Sequence, residues 1–555
     1  LGCCEVICSD KTGTITENKM TVTSMYFNGN TQNNKFRLDE IGKKMVIAGV
    51  LCNDTNLSNG KILGDPTEIA LTELGRTLNL DKFNLDNDYK RLDEIPFDSN
   101  RKLMSVLCDY EGKTMFTKGA PDLLLARCSH IMKDGKVVSI TEKDRQNIIS
   151  ANEEMSGRAL RVMGFAFKSY NDGDRLEEEG LVFLGLMGMI DPPRKEIKAA
   201  VKKCKRAGMR PVMITGDYSN TALAVAKEIG LAKSMDEVIT GEQLSKMSDE
   251  ELDERIKKCS VFARVSPEDK VRIVEAFKRA GKVVAMTGDG VNDAPSLKRA
   301  SIGIGMGKTG TDVAKEVSDI IVTDDNFATI VVAVEEGRKI YGNIQKTVKF
   351  LFSANLAELL SLFLVTIIFP KNIFLFPVQI LFVNLITDSL PAIALGVEQP
   401  EANLMEQPPR DKNKGLFSNG IGTSIVILGV LQTALVVAVY ALGIKMFSDT
   451  VAVTMAFYTL NIVQMFYLTS MRTNAPFYKS KPHKNPYFLL AIAFCFALLA
   501  LFAFTPLKNL LSLVALTGTQ WGIVFGFSAA MFIFSEIYKA VVYVVKKSKD
   551  KKKEA

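Results

Sequence analysis

The nine cysteines in this 555-residue chain are scattered and include no CxxC tract, which argues against a thiolate metal centre. Cys3, Cys4 and Cys8 cluster, but Cys8 falls in a stretch that reads as a buried strand, so reduced thiols are expected rather than a disulfide framework. No segment reads as a secretory leader. Charge is missing too, but only from one part of the chain. Up to about residue 340 the sequence is rich in Lys, Asp and Glu, as soluble α/β sequence is; from about residue 344 the charges thin out and long apolar runs take over. A chain of this length calls for two or three domains. The net charge of +7 is modest, and part of it lies in the closing stretch KKSKDKKKEA. Beside an apolar segment, such a stretch suits an anionic lipid face better than nucleic acid.

Six apolar stretches are long enough to cross a bilayer: about 348–369, 374–397, 419–443, 452–470, 487–504 and 519–545. The loop after the second holds Arg410, Lys412 and Lys414, and the loop after the fourth holds Arg472, Lys479, Lys481 and Lys484. The alternate loops carry only Lys371, Lys445 and Lys508. The positive-inside rule therefore places the soluble region and the tail in the cytoplasm.

In the soluble part, EVICSD ends at Asp10, RPVMITGD ends at Asp217, and GKVVAMTGDGVNDAP passes through Asp289. Each reads as a buried strand breaking into Gly and Asp at its carboxyl end, and YSNTALAVAKEIG after Asp217 has a helical pattern. Alternating strand and helix predicts a doubly wound parallel sheet whose ligands bind at those carboxyl ends. A strand-end aspartate capping the next helix is commonplace; for Asp217 that reading and a catalytic one weigh equally. Asp-Gly is also an ordinary turn. The combination says more. A carboxylate at a strand tip is suited to attack a phosphoryl group and form an aspartyl-phosphate. Asp289 and Asp293 are candidates to hold Mg²⁺, Lys270 to neutralise phosphate oxygens, and Thr12 and Thr215 to add hydrogen bonds at the same rim.

The first apolar stretch carries Asn355 and Glu358, three apart and so on one helical face. The second carries Asn384, Thr387 and Asp388 at i, i+3 and i+4. Interhelical hydrogen bonding would account for the Asn and Thr residues, but not for two carboxylates, which are costly inside a membrane. All five offer oxygen, the preference of a hard cation such as Ca²⁺. Pro391 is placed to loosen the helix and free carbonyls for coordination. Glu536, near the cytoplasmic end of the last span, reads as a snorkelling side chain.

DKTGT at 10–14, DPPR at 191–194, TGD at 215–217 and TGDGVNDAPSLKRA at 287–300 resemble the signatures of P-type cation-transporting ATPases, and the resemblance runs over essentially the whole chain. It implies a multidomain α/β plus all-α membrane protein. A haloacid-dehalogenase-like phosphorylation domain would occupy 1–20 and 187–335, with an inserted α+β nucleotide-binding domain at 21–186. A six-span transmembrane domain would follow at 336–545, and a basic tail at 546–555. The resemblance makes Asp10 the phosphorylated residue, served by Lys11, Thr12, Thr215, Gly216, Asp217, Lys270 and Asn292. Mg²⁺ would be bound by Asp10, the Thr12 carbonyl and Asp289, with Asp293. ATP would be bound by Glu68, Phe97, Arg101, Lys118, Gly119, Arg161 and Arg264. FTKGAPD puts Lys118 where the family has its adenine-pocket lysine, and IPFDSNRKLMS supplies Phe97 to stack on adenine. Taken singly, these would read as an exposed lysine and a core phenylalanine. Ser99 departs from related calcium pumps, which often carry arginine there.

NLAE and PVQILFVNLITDSLPAIALG are similar to the fifth and sixth spans of calcium pumps of the sarcoplasmic-reticulum type. That likeness implies cation ligation by Asn355, Glu358, Asn384, Thr387 and Asp388, with Gln464 where two-site calcium pumps have a glutamate, so one ion or two stays open. The implied activity is ATP-driven cation transport through an aspartyl-phosphate, with Ca²⁺ export from the cytoplasm favoured and Na⁺, K⁺, H⁺ or Mn²⁺ as alternative cargo. A non-pumping membrane-anchored phosphatase and a non-enzymatic scaffold are the rivals from other classes. Heavy-metal pumps, with about two spans after the catalytic region, and lipid flippases, without the intramembrane carboxylates, fit less well. The family also has an actuator domain with a TGE loop and four earlier spans, an amino-terminal portion expected to lie outside this sequence. The one TGE here, Thr240 to Glu242, reads as a surface turn before a helix. NFATIVVAVEEGRKIYGNIQK, 326–346, reads as a helical stalk. The expected location is a bacterial plasma membrane.

Overall fold

The computed structural model describes all residues except 59–60, 99–100, 172–175, 401–402, 419, 474–476, 478–484 and 555, and the side chains of 57–58, 61 and 546–554 also lie outside the description. Ser99, Lys479, Lys481, Lys484 and the side chains of the basic tail, on which expectations rest, are therefore not among the described residues. The chain divides into two compact units, Cys4–Val331 and Val332–Ala555 together with Leu1–Cys3.

The first unit is built on two large sheets. Seven parallel strands, β1 (Val6–Asp10), β2 (Arg210–Thr215), β3 (Val238–Thr240), β4 (Val261–Ala263), β5 (Val284–Gly288), β6 (Ile302–Met306) and β7 (Ile320–Val322), lie in the spatial order β3-β4-β2-β1-β5-β6-β7. β1 pairs with both β2 and β5. The chain therefore builds one flank as β2–β4 and the other as β5–β7, and the reversal opens a crevice at the carboxyl end of β1. Strands covered on both faces need near-continuous apolar runs, and Val6, Cys8, Val212, Ile214, Phe262, Val284 and Met286 share one buried cluster. None of the nine cysteines is in a disulfide, and burial raises the Cys8 thiol well above its ordinary value. Thr240 caps the helix Gly241–Lys246 through a reciprocal bond pair with Gln243, the turn expected for the TGE triplet.

The second sheet is inserted between β1 and β2 in sequence. Its nine strands run in the order Lys136–Ser139, Cys128–Lys133, Leu181–Ile190, Arg161–Tyr170, Lys113–Gly119, Leu103–Asp109 and Arg91–Asp98, with Thr21–Phe27 on Leu181–Ile190 and Asn30–Asn33 on Thr21–Phe27. All the pairs are antiparallel except Leu181–Ile190 with Cys128–Lys133. Successive strand residues point to opposite faces. Met25 accordingly joins a cluster with Val50, Leu71, Phe165 and Met187, while Tyr26 joins Leu103, Leu124, Ile148 and Phe183 on the other side.

Among the described residues the second unit carries six helices long and apolar enough to cross a membrane: α1 (Phe327–Ile368), α2 (Pro377–Gly396), α3 (Ile421–Met446), α4 (Asp449–Met471), α5 (Pro486–Phe504) and α6 (Gly518–Val545). The expected stalk and first span are one continuous helix, and the chain passes from one unit to the other within it. α4 is 89% buried over its most apolar stretch against 17% for α5 and α6, so α4 is the centre of the bundle. Glu398, just past α2, and Arg472, just past α4, form a bidentate ion pair with both bonds at 2.9 Å. Asn485 adds a third donor to Glu398 at 3.1 Å. Both charged side chains are buried.

Breaking a buried pair leaves a charge without compensation. Arg472→Ala is therefore expected to cost about 3–5 kcal/mol, whereas the joint change Arg472→Met with Glu398→Leu should cost far less. Thermal unfolding in detergent separates the two cases; equal losses would mean that packing, not charge, holds these helix ends together.

Candidate catalytic rim and cation site

At the tip of β1 the Asp10 N–H donates to the Thr287 hydroxyl of β5 at 3.1 Å, and Asp10 Oδ1 accepts from the Thr12 N–H at 3.4 Å. Lys270 comes from the helix Pro267–Arg279, which starts with proline and a capping box of Ser266 and Asp269. Its Nζ donates to Asp10 Oδ2 at 2.6 Å and to Asp293 Oδ1 at 2.7 Å. The other oxygen of Asp293 accepts from the Asp289 and Gly290 amides at 3.3 and 3.1 Å. Burial pushes the Asp10 carboxyl up, and the Lys270 ammonium beside it pulls it back only part of the way. Asp289 is raised as well, by burial and then by the charges of Asp10 and Asp293. Burial alone would lower Lys270, but those two carboxylates hold it above the ordinary lysine value.

Three carboxylates around one ammonium leave the rim short of positive charge. That deficit and the oxygen chemistry fit a hard divalent cation. No ready-made cluster of three metal-ligating side chains exists among the described residues. Asp293, expected among the Mg²⁺ ligands, has both oxygens engaged. It orients the Gly-Asp-Gly turn and Lys270, as Asp10, bonded to Lys270 and the Thr12 amide, also does from the other side.

The loop after Asp10 is stitched down from three directions. Gly13 has φ +76°, a conformation that favours glycine. Its carbonyl accepts from Arg194 at 2.8 Å. Asp191 accepts from the Thr16 hydroxyl at 2.5 Å and the Lys19 amide at 3.1 Å, so the DPPR segment clamps the DKTGT loop. Lys11, nearly buried, pairs with Asp217 at 2.8 Å and so joins the tips of β1 and β2. Asp217 N–H bonds the Thr215 hydroxyl at 3.1 Å. Arg264 stacks on Tyr218 at 4.1 Å and donates its backbone N–H to the Asp217 carbonyl at 2.9 Å. It therefore stands on the parallel sheet, not in the inserted domain. Gly216 makes the bend after β2, and Thr12 and Asn292 are exposed at this rim. Asp325, buried, gathers the Gly307, Lys308 and Thr309 amides at 2.7, 3.0 and 2.7 Å and the Thr309 hydroxyl at 2.9 Å. Burial would raise its carboxyl, but these donors more than offset it and hold it below the usual carboxylate range.

In the inserted domain Lys118 is buried in an ion pair with Glu68, whose second oxygen accepts from the Asp54 amide at 3.1 Å. Leu103–Asp109 pairs with both Arg91–Asp98 and Lys113–Gly119, so Phe97 and Lys118 lie two strands apart. Phe97 is 63% exposed, an unusual state for a phenylalanine and one that offers a ring face for stacking. A side chain on Gly119 would collide with the Lys102 carbonyl and Leu103. Arg161 is exposed and close enough to Asp65 for their charges to interact. Arg101 is turned to Glu178 at 3.0 Å and to the Leu103 carbonyl at 3.2 Å; the structure ties it into the domain instead of presenting it to a ligand.

In the membrane unit Glu358 of α1 accepts from Asn384 of α2 at 2.9 Å and from Gln464 of α4 at 3.2 Å. Residues Val383–Asp388 form a π-type turn, a widening frequently found at functional sites, ahead of Pro391. The Thr387 hydroxyl bonds the Val383 carbonyl at 2.9 Å. Asp388 is 2% exposed, and neither of its oxygens has a hydrogen-bond donor among the described residues. A buried carboxylate without donors is costly; a bound cation removes that cost. Asn355 is exposed and makes no hydrogen bond to this cluster among the described residues. Glu536, expected to snorkel, is instead held by the Ser470 hydroxyl at 2.7 Å and the Phe477 amide at 2.8 Å.

The Asp10 rim on a doubly wound sheet, with an inserted domain and a six-helix membrane bundle, has the fold of the P-type ATPases. Comparisons with known proteins agree. Residues 42–196 match the family model described as P-type ATPase, cytoplasmic domain N, and residues 372–541 match Cation transporting ATPase, C-terminus. Calcium-transporting ATPase 1 of Bacillus cereus is 43% identical over 97% of this chain and 63% of its own length. The protein of that name from Lactococcus lactis is 42% identical over 99% and 63%, and human calcium-transporting ATPase type 2C member 1 is 34% identical over 98% and 61%. The chain thus spans about 63% of the length of these bacterial relatives. It belongs to the P-type cation-transporting ATPase family.

Sequence reasoning missed Thr287, Asp191, Arg194 and Asp325 as supports of the rim. DPPR stands out as a signature without showing what it holds, and nothing local in TDDNF points to a loop sixteen residues earlier. Asp325→Asn is expected to destabilise the protein by about 2 kcal/mol at pH 7, because charged acceptors of buried amides are lost. The Asp325 carboxyl is lowered on folding, so its contribution is complete above the ordinary carboxylate range and is lost as pH falls through the lowered value. The gap between wild type and variant should therefore close on acidification, as thermal unfolding from pH 7 to pH 3 would reveal.

Proposed function

We propose that this chain carries the phosphorylation, nucleotide-binding and cation-binding parts of an ATP-driven pump exporting Ca²⁺ from the cytoplasm. The observation that carries the reading is the Asp10 carboxylate at the centre of the parallel sheet, 2.6 Å from Lys270. The domain division expected from sequence, 1–20 with 187–335 for phosphorylation, 21–186 for nucleotide and 336–545 for the membrane, is adopted with one change: the strand Leu181–Ile190 lies in the inserted sheet, which carries the nucleotide domain to residue 190. In this reading Phe97 stacks on adenine beside Lys118, Glu68 and Arg161, and Arg264 reaches the nucleotide from the parallel sheet. Asp10 attacks the γ-phosphorus; the bond to the β-γ bridging oxygen breaks, and ADP leaves. Lys270, already on Asp10, pairs with the transferred phosphoryl oxygens, joined by the Thr215 hydroxyl and the Asn292 amide. Asp10, Asp289 and the Thr12 carbonyl, with Asp293 behind them, would hold Mg²⁺, which would supply neutralisation of phosphoryl charge.

In the membrane, Glu358 and Asp388 balance the charge of one divalent ion, and Asn384, Thr387 and Gln464 supply neutral oxygens. An amide at Gln464 where a second carboxylate would be needed favours one ion per cycle. The names of the relatives support Ca²⁺ as that ion. Their bacterial members suit a plasma membrane, with the soluble unit in the cytoplasm. The full cycle belongs to the whole protein, working with the amino-terminal portion that the family leads one to expect. Phosphorylation and ion occupancy then bias one global equilibrium.

The test uses a pump of the relatives' full length that contains this sequence, with radiolabelled ATP and Mg²⁺. An acid-stable, hydroxylamine-sensitive phosphoprotein is expected, dependent on Ca²⁺ and abolished by Asp10→Asn. Glu358→Gln and Asp388→Asn should each raise the Ca²⁺ requirement about tenfold or more, since each removes a charge that stabilises a desolvated cation. Labelling that follows Mn²⁺, Na⁺ or K⁺ instead would keep the pump and sink the calcium assignment. No aspartyl-phosphate at all would return the phosphatase to the front.

A further inference from the structure

Polar groups buried inside a protein are normally hydrogen-bonded, yet a layer of neutral polar side chains beside Glu358 is not. Ser361 of α1, Gln432 of α3, and Asn461 and Gln464 of α4 are all fully buried. The Ser361 hydroxyl, both polar atoms of the Gln432 amide, and the amide oxygens of Asn461 and Gln464 have no hydrogen-bond partner among the described residues. The nitrogens of the last two are engaged: Asn461 donates to the Phe457 carbonyl at 2.7 Å and Gln464 to Glu358 at 3.2 Å. Contacts between the helices set the four side chains at one depth. Gln464 meets Glu358, and the Ser353 and Tyr467 hydroxyls meet at 3.2 Å. α1 and α4 are therefore antiparallel, and one turn further along Ser361 comes level with Asn461. The Thr433 hydroxyl donates to the Ala357 carbonyl at 3.5 Å, which sets Gln432 level with Glu358. Leu428 and Val436, one turn to either side of Gln432, belong to different apolar clusters. Leu428 packs with Phe350, Val463 and Tyr467, and Val436 with Val365, Ala456 and Leu460. The polar layer thus lies between two apolar ones in the interior of the bundle.

From this we infer that the layer binds an alkali cation, K⁺ or Na⁺, in a subsite that adjoins the Glu358–Asp388 pair. Three unpaired amide oxygens and a hydroxyl stand against one unpaired amide nitrogen, so the layer calls for positive charge rather than for another acceptor. Neutral carbonyl-type oxygens are the groups that replace the hydration shell of an alkali ion inside a membrane. A divalent ion calls for carboxylates, and Glu358 and Asp388 balance only one such ion. A monovalent ion loses far less on leaving water, and Glu358, one turn before Ser361 on the same face, lends it counter-charge. The same carboxylates repel an anion. Gln464 bonds Glu358 through its nitrogen and keeps its oxygen unpaired. Turning that oxygen to a divalent ion on Glu358 withdraws it from the layer. One amide serves either ion, which sets the two sites in competition.

The test uses the full-length pump of the phosphorylation assay, purified in detergent. Equilibrium binding of radioactive Rb⁺ is measured first without ATP or divalent ions, so that the result does not depend on the calcium reading. Choline keeps the ionic strength constant, and unlabelled K⁺ and Na⁺ as competitors distinguish which alkali ion the site prefers. Saturable Rb⁺ binding is expected. Gln432→Leu should weaken it about tenfold and Ser361→Ala about threefold, since each removes a group that bonds a charge. Thr459→Val, which deletes a buried α4 hydroxyl already bonded to the Met455 carbonyl at 2.8 Å, should leave it unchanged. Ser361→Ala keeps the test decisive if Gln432→Leu does not fold. Adding Ca²⁺ at the concentration that saturates phosphorylation should expel Rb⁺, and retention would overturn the shared amide. Absence of saturable Rb⁺ binding would overturn the proposal outright. So would binding that survives Gln432→Leu and Ser361→Ala undiminished but is lost in Asp388→Asn, which would put the ion in the cation site already described.

Discussion

The ammonium of Lys270 is shared between two carboxylates, Asp10 and Asp293, that come from the tips of adjacent strands. Like charges held this close in a partly dry crevice repel strongly, and only an intervening cation lets the tips of β1 and β5 approach. Much of the surrounding structure serves that arrangement. Ser266 and Asp269 fix the first turn of the helix that delivers Lys270. The Asp289 and Gly290 amides fix Asp293, and Thr287 fixes the Asp10 backbone. With Asp289 beside them, the rim is nevertheless left with two carboxylates more than Lys270 neutralises. That surplus is what a phosphate-bound divalent cation would remove, so the crevice is organised by the lysine and completed by its ligands.

The membrane cluster solves a related problem differently. Glu358 is satisfied by two side-chain amides, which stabilise its charge without opposing it. Asp388 receives no donor among the described residues. The widened turn at Val383–Asp388 and the missing N–H of Pro391 spare backbone carbonyls on the same helix. Carboxylates with amide partners can accept a cation by rotating those amides from donor to acceptor, whereas a carboxylate paired to lysine would have to lose its partner first. A site that fills and empties each cycle is better built from Asn and Gln than from Lys, and no lysine is bonded to Glu358 or Asp388 among the described residues.

Much of the fold was legible because burial leaves period and length in the sequence. β1, β2 and β5 read as apolar runs ending in Gly and Asp, and the six spans follow from runs too long and uncharged for a soluble core. The continuity of α1 was not legible: its polar first half and apolar second half look like different objects, although nothing between them breaks a helix. The structure brings together Asp10 with Lys270, Lys11 with Asp217, Lys118 with Glu68, and Glu358 with Asn384 and Gln464. It withholds Arg101, which faces Glu178, and Asn355, which stays exposed. Residue type shows what a side chain can bond, but not which partner reaches it across the fold. That is also why the clamp of Asp191 and Arg194 on the loop after Asp10, more than 170 residues away in sequence, left no local mark.

Local charge imbalance, not the net charge of +7, is the more informative electrostatic property of this chain. Acidic groups outnumber cations at the Asp10 rim and in the Glu358–Asp388 cluster. Averaging over the sequence hides both. In both places the surrounding bonds orient carboxylates without fully neutralising them, an arrangement that costs stability unless something of opposite sign binds. A bound metal ion would remove that cost in either place.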